Sequence, residues 1–189
     1  MIKRVLAAFY VFLCIFIGVQ ASFGLDYSKI STNAKITAAL DKLETINRRD
    51  VISILNGNNA TRQPIRVLFR DLSIYGYKDC EAVTMPTRNG GLIIYISSEH
   101  KNASPECIAC LLAHESQHHQ FTNSFQEELR AWVSETQAWN ELTKRNKDLL
   151  TSKEPLAKRE NYIAKIRNKS GVEGIEKVIA TNPVYANLN

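Results

Sequence analysis

The sequence is poor in histidine, cysteine and tryptophan, and it contains no internal repeat or low-complexity block. There are four histidines, four cysteines and two tryptophans in 189 residues. A chain of this length can bury a full hydrophobic core, so it does not need the dense disulfide framework that stabilises very small secreted domains. The net charge of +5 is modest, and the charge balance does not indicate a nucleic-acid-binding protein.

Long hydrophobic runs are also missing, except at the N-terminus. The basic residues Lys3 and Arg4 precede an apolar run over residues 5–19, and small residues follow at the positions that a signal peptidase reads. We expect residues 1–21 to be a signal peptide and residues 22–189 to be a single domain that is secreted or periplasmic. The apolar run is shorter than the roughly 20 residues of a comfortable membrane span. An uncleaved membrane anchor is the alternative, and no stable span is expected after cleavage.

Three of the four histidines are clustered in the pentad His114-Glu115-Ser116-Gln117-His118 and its neighbour His119. Residues four apart in a helix lie on one face, so His114 and His118 can direct two imidazoles at one metal ion. Glu115 follows the first histidine, where it can act as general base on a water at that metal. His119 is one residue off this face and is assigned no ligand role. The pentad therefore predicts a zinc hydrolase site.

The residues before the pentad predict a buried helix. Ser104-Pro105-Glu106 combines an N-cap serine, a proline at the first helical position and an acid in the first turn. Residues 107–113 are apolar on nearly all sides. Histidines and a carboxylate on a buried helix need partners, and a metal ion is the simplest partner for all three.

A catalytic zinc usually takes three protein ligands, and Glu128 is the predicted third. Ser124 begins a second helix with a capping-box pattern, and the short connection favours an antiparallel hairpin that places Glu128 at the height of His118. Glu127 has a similar height but points about 100° away around the helix. Glu135 shares the face of Glu128 but lies about 10 Å further along the axis. Glu127 and Glu135 therefore rank second and third as ligands.

The pentad, followed by Glu128-Leu129-Arg130-Ala131, resembles the gluzincin branch of the zincin metallopeptidases. The resemblance covers about residues 92–140, and the third histidine of metzincins is absent. It implies a zinc cofactor, a peptide or protein substrate and peptide-bond hydrolysis with Glu115 as general base. It also implies that a strand beside the metal helix binds an extended peptide, for which residues 92–97 are the candidate if they form an edge strand. An ordinary interior strand is the alternative.

The remaining pattern predicts an α+β fold in which a small sheet has helices on one side. The metal helix and a long antiparallel helix follow the clearest strand, and a helical segment covers about residues 151–189. Periodicity predicts helices over residues 33–55, 125–150, 156–169 and 171–179, and strands over residues 65–69, 80–85 and 92–97.

The three cysteines after the predicted signal peptide are Cys80, Cys107 and Cys110. Since a secreted protein permits disulfides, we expect one from Cys80 to Cys107 or Cys110. A zinc site made of both helix cysteines and both histidines is excluded, because positions 107 and 118 are about 16 Å apart along a helix axis.

Other roles are less sharply specified by the sequence. Glu135, if it is not a ligand, is a candidate acceptor for a ligand histidine. A developing oxyanion needs a hydrogen-bond donor, and the sequence does not choose among five tyrosines: Tyr75, Tyr77, Tyr95, Tyr162 and Tyr185. The basic residues after Thr143 are predicted to form a solvated helical face, with a binding site for a polyanion or a membrane surface as the alternative. The alternative function is a non-catalytic secreted domain whose metal or polar cluster is structural and which binds a partner.

Overall fold

A computed structural model describes residues 26–120, 122–185 and 188. The predicted signal peptide, residues 1–21, lies outside the described residues, as does Phe121 in the turn between the two site helices. Within the described ranges the chain forms five α-helices and one three-stranded sheet, which confirms the predicted α+β class. No helix in these ranges is long and apolar enough to cross a lipid bilayer.

Two helices precede the three strands in the chain, and three helices follow them. The helices are α1 (Ala34–Thr45), α2 (Arg49–Leu55), α3 (Pro105–Glu115), α4 (Phe125–Arg145) and α5 (Pro155–Thr181), and the strands are β1 (Arg66–Arg70), β2 (Ala82–Pro86) and β3 (Leu92–Ser97). Short 3-10 helices lie between them, of which Ser116–Gln120 and Pro183–Tyr185 concern the site.

Two predicted helices have different bounds in the structure, and a third break in the helices lies where it was predicted. The predicted helix over residues 33–55 is split into α1 and α2, because Asn47 has a left-handed φ of 61° that a helix does not accommodate. The long helix ends at Arg145 and not near residue 150, since Asn146 is extended and its side chain caps the following 3-10 turn. Within α5 the backbone is non-helical at Gly171, with φ 64°, which matches the two predicted segments.

β3 is the central strand of the sheet. It pairs in parallel with β1 and antiparallel with β2, in the order β1-β3-β2. The edge position considered for residues 92–97 is therefore wrong, and the interior alternative is confirmed. The physical reason is that β3 forms backbone hydrogen bonds along both of its sides. Its faces are also covered, since Ile94 and Ile96 are fully buried in the core and Tyr95 stacks on Tyr75 on the opposite face at a ring distance of 5.2 Å.

The core surrounds α3, which packs against α1 and α4 and also contacts β2 and α5. All of its residues from Glu106 to Glu115 are buried, as the apolar sequence predicts. Ser104 caps its N-terminus by accepting a hydrogen bond from the backbone N–H of Cys107 at 3.4 Å. The one acid in the first turn, Glu106, pairs with Lys42 of α1 at 2.8 Å. This packing fixes the position of the pentad at the C-terminal end of α3.

The predicted disulfide is not present, because Cys80, Cys107 and Cys110 are all free thiols. Cys80 lies in the loop before β2, and its charged neighbours include Glu115. Cys107 and Cys110 are buried and have Glu160 of α5 as a shared charged neighbour. The two helix thiols are thus enclosed in the core, whereas Cys80 lies in a loop and is only partly buried.

Candidate metal centre

The pentad extends across the end of α3. The α-helix stops at Glu115, and residues Ser116–Gln120 form a 3-10 helix in which His118 has φ −80° and ψ 21°. The expectation of one continuous α-helix over the pentad is therefore wrong in its last residues. The two imidazoles nevertheless approach each other, with ring centroids 5.2 Å apart for His114 and His118. His119 is half-buried on this turn and lies outside the cluster described next.

Glu128, in the first turn of α4, lies against both histidines. Its Oε2 is 3.7 Å from Nε2 of His114, and its Oε1 is 3.5 Å from Nε2 of His118. Ligand atoms that each lie about 2.0–2.1 Å from a tetrahedral zinc are about 3.3 Å apart, close to these spacings. Among the described residues, His114, His118 and Glu128 are the group of three whose potential ligand atoms all lie within 4.8 Å of one another.

Two further glutamates bind the opposite nitrogens of the same rings. Nδ1 of His114 is 3.0 Å from Oε2 of Glu135, and Nδ1 of His118 is 3.1 Å from Oε1 of Glu127. Because an ionised carboxylate only accepts hydrogen bonds, each Nδ1 carries the proton and donates it. In the neutral form of each ring, the Nε2 atom on the side of Glu128 then has the lone pair with which a histidine binds a metal.

These contacts separate the three acids that the sequence offered as third ligands. Glu128 is the acid that faces the free nitrogens, as its rank predicts, and Glu135 is an acceptor for a histidine, the role considered for it if it is not a ligand. The hydrogen bond from His118 to Glu127 was not predicted. The sequence signal for this contact was the capping-box position of Glu127, because a glutamate at this position reaches back toward the preceding turn. Glu127 also accepts a hydrogen bond from the backbone N–H of Thr122 at 2.7 Å.

A buried charge network extends from Glu135 into α5. Nη1 of Arg159 donates to Oε1 of Glu135 at 2.5 Å and to Oε1 of Glu160 at 2.6 Å. Sequence reasoning missed this pair, since residues 156–169 read as a polar surface helix. A signal was present in the spacing, because Glu160 falls between Leu156 and Ile163 on the apolar stripe of α5.

The electrostatics of the site favour positive charge. Burial alone lowers the pKa of His114, but the charge and hydrogen bond of Glu135 and the charges of Glu115 and Glu128 outweigh burial and raise it to about 9. Burial raises the pKa of Glu135, but Arg159 and His114 reverse this and hold it well below its usual range. Without a metal, His114 is therefore protonated at neutral pH, and a bound cation would replace that proton.

Glu115 is held by a strand residue. Oγ1 of Thr84 in β2 donates to Oε2 of Glu115 at 2.7 Å, and Glu115 is only 6% exposed. Two cavities, of about 290 Å³ and 180 Å³, are both lined by Glu115 and His114. The carboxylate expected to be the general base therefore borders two cavities beside the candidate centre.

The structure reduces the five candidate tyrosines to two. Tyr77 lines the larger of these cavities, and Tyr185 lines both. Tyr185 is held by Trp132, whose Nε1 donates to the tyrosine oxygen at 3.2 Å. Tyr75 and Tyr95 stack on each other and line neither cavity. Tyr162 is 64% exposed on α5 and lines neither cavity.

The residues present fit a catalytic zinc site. Two imidazole nitrogens and one carboxylate form a donor set that zinc hydrolases use, with a fourth position left open. Oε2 of Glu128 is buried and has no hydrogen-bond partner among the described residues, although buried carboxylate oxygens normally have one. A cation between Glu128 and the two Nε2 atoms would satisfy this oxygen.

No protein-family model, curated protein or solved structure matches the chain. Its function is therefore inferred from the geometry and chemistry of its own residues.

Proposed function

We propose that the protein is a zinc-dependent metallopeptidase in which His114, His118 and Glu128 bind the metal and Glu115 is the general base. The observation that carries this proposal is the orientation of the two histidines. Their Nδ1 atoms are both occupied by glutamates, and their Nε2 atoms both face the carboxylate of Glu128. A purely structural polar cluster has no need of a carboxylate oxygen that is buried without a hydrogen-bond partner.

The chain's own residues supply the proton transfers of a hydrolysis reaction. A bound zinc would polarise the scissile carbonyl and lower the pKa of the attacking water. The carboxylate of Glu115 takes the proton from that water and passes it to the leaving amine. The hydrogen bond from Thr84 holds one oxygen of Glu115, so the other oxygen is available for this transfer. Tyr77 and Tyr185, which line the cavity beside Glu115, are the candidate donors to the oxyanion.

The substrate-binding strand in this proposal is β2 and not β3. β2 is an edge strand, and its residues Val83 and Thr84 line the larger cavity beside Glu115. An exposed edge offers backbone N–H and C=O groups that pair with an extended peptide without regard to its sequence. A peptide added to this edge would pass the pair formed by Thr84 and Glu115.

The activity is tested with casein and a peptide library as substrates for the purified protein. We expect hydrolysis that stops when a chelator removes the metal and returns when zinc is added back. Absence of hydrolysis in protein that carries one zinc per chain would contradict the peptidase proposal. It would leave the non-catalytic domain with a structural metal as the better account.

Arg159 is expected to be a positioning residue for His114. Replacing it with glutamine removes the cation that fixes Glu135, and we expect the affinity for zinc to fall about 10- to 100-fold, the usual effect of losing an outer partner of a ligand histidine. A competition titration against a coloured chelator measures the affinity, and circular dichroism verifies the fold. The Arg159→Lys variant should recover part of the loss, since it restores the positive charge.

The matched control is Arg167→Gln on the same helix. Arg167 is also partly buried but donates to the neutral oxygens of Thr136 and Val133. The Arg167→Gln substitution should leave zinc affinity unchanged. Equal losses in the Arg159 and Arg167 variants would show a general effect on α5 and would contradict a positioning role.

A further inference from the structure

Another cavity lies away from the candidate metal centre. It is a groove of about 1140 Å³ between the C-terminal half of α4 and the middle of α5. Four of its lining residues are basic: Lys144, Lys165, Arg167 and Lys169. Glu141 is the one acid among the described lining residues, and it is paired with Lys144 at 2.5 Å. Residues that the sequence alone places on a solvated face therefore converge on a concave surface.

Most of this positive charge is not neutralised within the described structure. Among the lysines and arginines of α4 and α5, Lys144 and Arg159 form salt bridges, whereas Lys165, Arg167 and Lys169 form none with any described acid. Arg167 is partly buried, and its guanidinium donates to Oγ1 of Thr136 at 3.0 Å and to the carbonyl of Val133 at 3.4 Å. Burial lowers its pKa with no opposing effect of a carboxylate. Because a cation that is partly removed from water without a counter-charge is unfavourable, an external anion would stabilise Arg167.

The walls of the groove are fixed relative to each other. The side-chain amides of Asn140 on α4 and Asn168 on α5 exchange hydrogen bonds of 3.0 and 3.1 Å. Trp139 and Asn161 form a second link at 3.0 Å. A groove with fixed walls binds without first rearranging its backbone, which lowers the entropic cost of binding.

The remaining lining residues indicate the class of anion. Leu150 and Val172 line the groove and are 52% and 42% exposed, so a ligand can contact aliphatic side chains as well as cations. Single-stranded nucleic acids are usually bound by stacking on exposed aromatic rings. The aromatic ring that lines this groove belongs to Trp139, which is only 1% exposed. A flat bilayer surface does not enter a groove between two packed helices.

We propose that the groove between α4 and α5 binds an extended acidic peptide segment. Its carboxylates pair with Lys165, Arg167 and Lys169, and an aliphatic side chain packs on Leu150 and Val172. This binding involves none of the residues of the metal centre. It is therefore independent of the proposed peptidase activity.

The test measures fluorescence anisotropy of a labelled peptide of alternating glutamate and leucine, added to the purified protein. The Lys165→Glu/Lys169→Glu variant reverses two groove charges, and we expect its affinity to be about tenfold lower, because two exposed charge pairs with the peptide are lost. The control, Lys158→Glu/Lys177→Glu, makes the same change of net charge at exposed positions of α5 outside the groove lining. It should bind as the wild type does.

A second variant tests the aliphatic contact. Leu150→Ser should weaken binding of the glutamate-leucine peptide but not of a peptide of glutamate alone. Equal weakening by the two charge-reversal variants would overturn the proposal, because it would reflect only net charge. Tighter binding of single-stranded oligonucleotide or of anionic lipid vesicles, or no peptide binding at low salt, would also overturn it.

Discussion

Replacing Glu115 with glutamine is expected to abolish peptide hydrolysis while zinc stays bound. The amide has nearly the shape of the carboxylate and keeps an oxygen for the hydrogen bond from Thr84, so the fold and the three ligands remain in place. It cannot accept the proton of the attacking water. General base catalysis contributes roughly 10²- to 10⁴-fold, and kcat/KM should fall by at least this factor. Zinc content and hydrolysis measured on the same preparation test this prediction.

The control for this substitution is another acid on the same surface. Glu81 lines the same small cavity as Glu115 and His114, but its carboxylate pairs with His100 and with none of the proposed ligands. The Glu81→Gln variant should keep both its zinc and most of its activity. If Glu115→Gln hydrolyses peptides at the wild-type rate, the proposed mechanism is wrong. If it loses zinc, Glu115 has a role in holding the metal that the proposal does not include.

The second large effect is expected from Glu128. The Glu128→Gln variant should lose far more zinc affinity than the roughly 10- to 100-fold that is typical when a hydrogen-bond partner of a ligand histidine is removed. Glu127, one residue earlier, is the natural comparison, because it binds Nδ1 of His118 and the N–H of Thr122. Glu127→Gln should therefore show only the smaller loss. Competition titrations of both variants under the same conditions measure the difference.

The reverse order of zinc affinities in these two variants would contradict the proposed ligand set. If Glu127→Gln loses zinc more completely than Glu128→Gln, the roles of the two acids are reversed and the histidine tautomers assigned above are wrong. Similar small losses in both variants would mean that the third ligand lies elsewhere. Glu135→Gln would then be the next variant to titrate, because Glu135 binds the other face of the cluster at His114.

Local patterns predicted the parts of the fold that depend on short-range periodicity. The fully apolar stretch of α3, the cap at Ser104 and the strand over residues 92–97 are of this kind. The position of β3 in the sheet is different, because strand order depends on pairing between segments far apart in the chain. The break at Asn47 was missed for another reason: one residue with left-handed backbone interrupts a helix whose apolar stripe continues across it.

The site shows the same division between short-range and long-range information. The pentad and the hairpin brought His114, His118 and Glu128 into consideration because these residues are close in sequence. Arg159 belongs to a helix that returns to the site only through tertiary packing, and no local pattern connects it to Glu135. The disulfide prediction was wrong because it used the cysteine count alone, and the count does not show which thiols tertiary packing brings together. The secreted or periplasmic location stays a prediction.

The central claim is that this chain binds one catalytic zinc, and the metal content of the purified protein tests it most directly. Mass spectrometry under native conditions, after zinc has been supplied, gives the number of ions per chain. We expect one zinc in the wild type, one in Glu115→Gln and none in His118→Ala, with all three proteins folded. A wild-type protein that is folded and binds no zinc would contradict the claim.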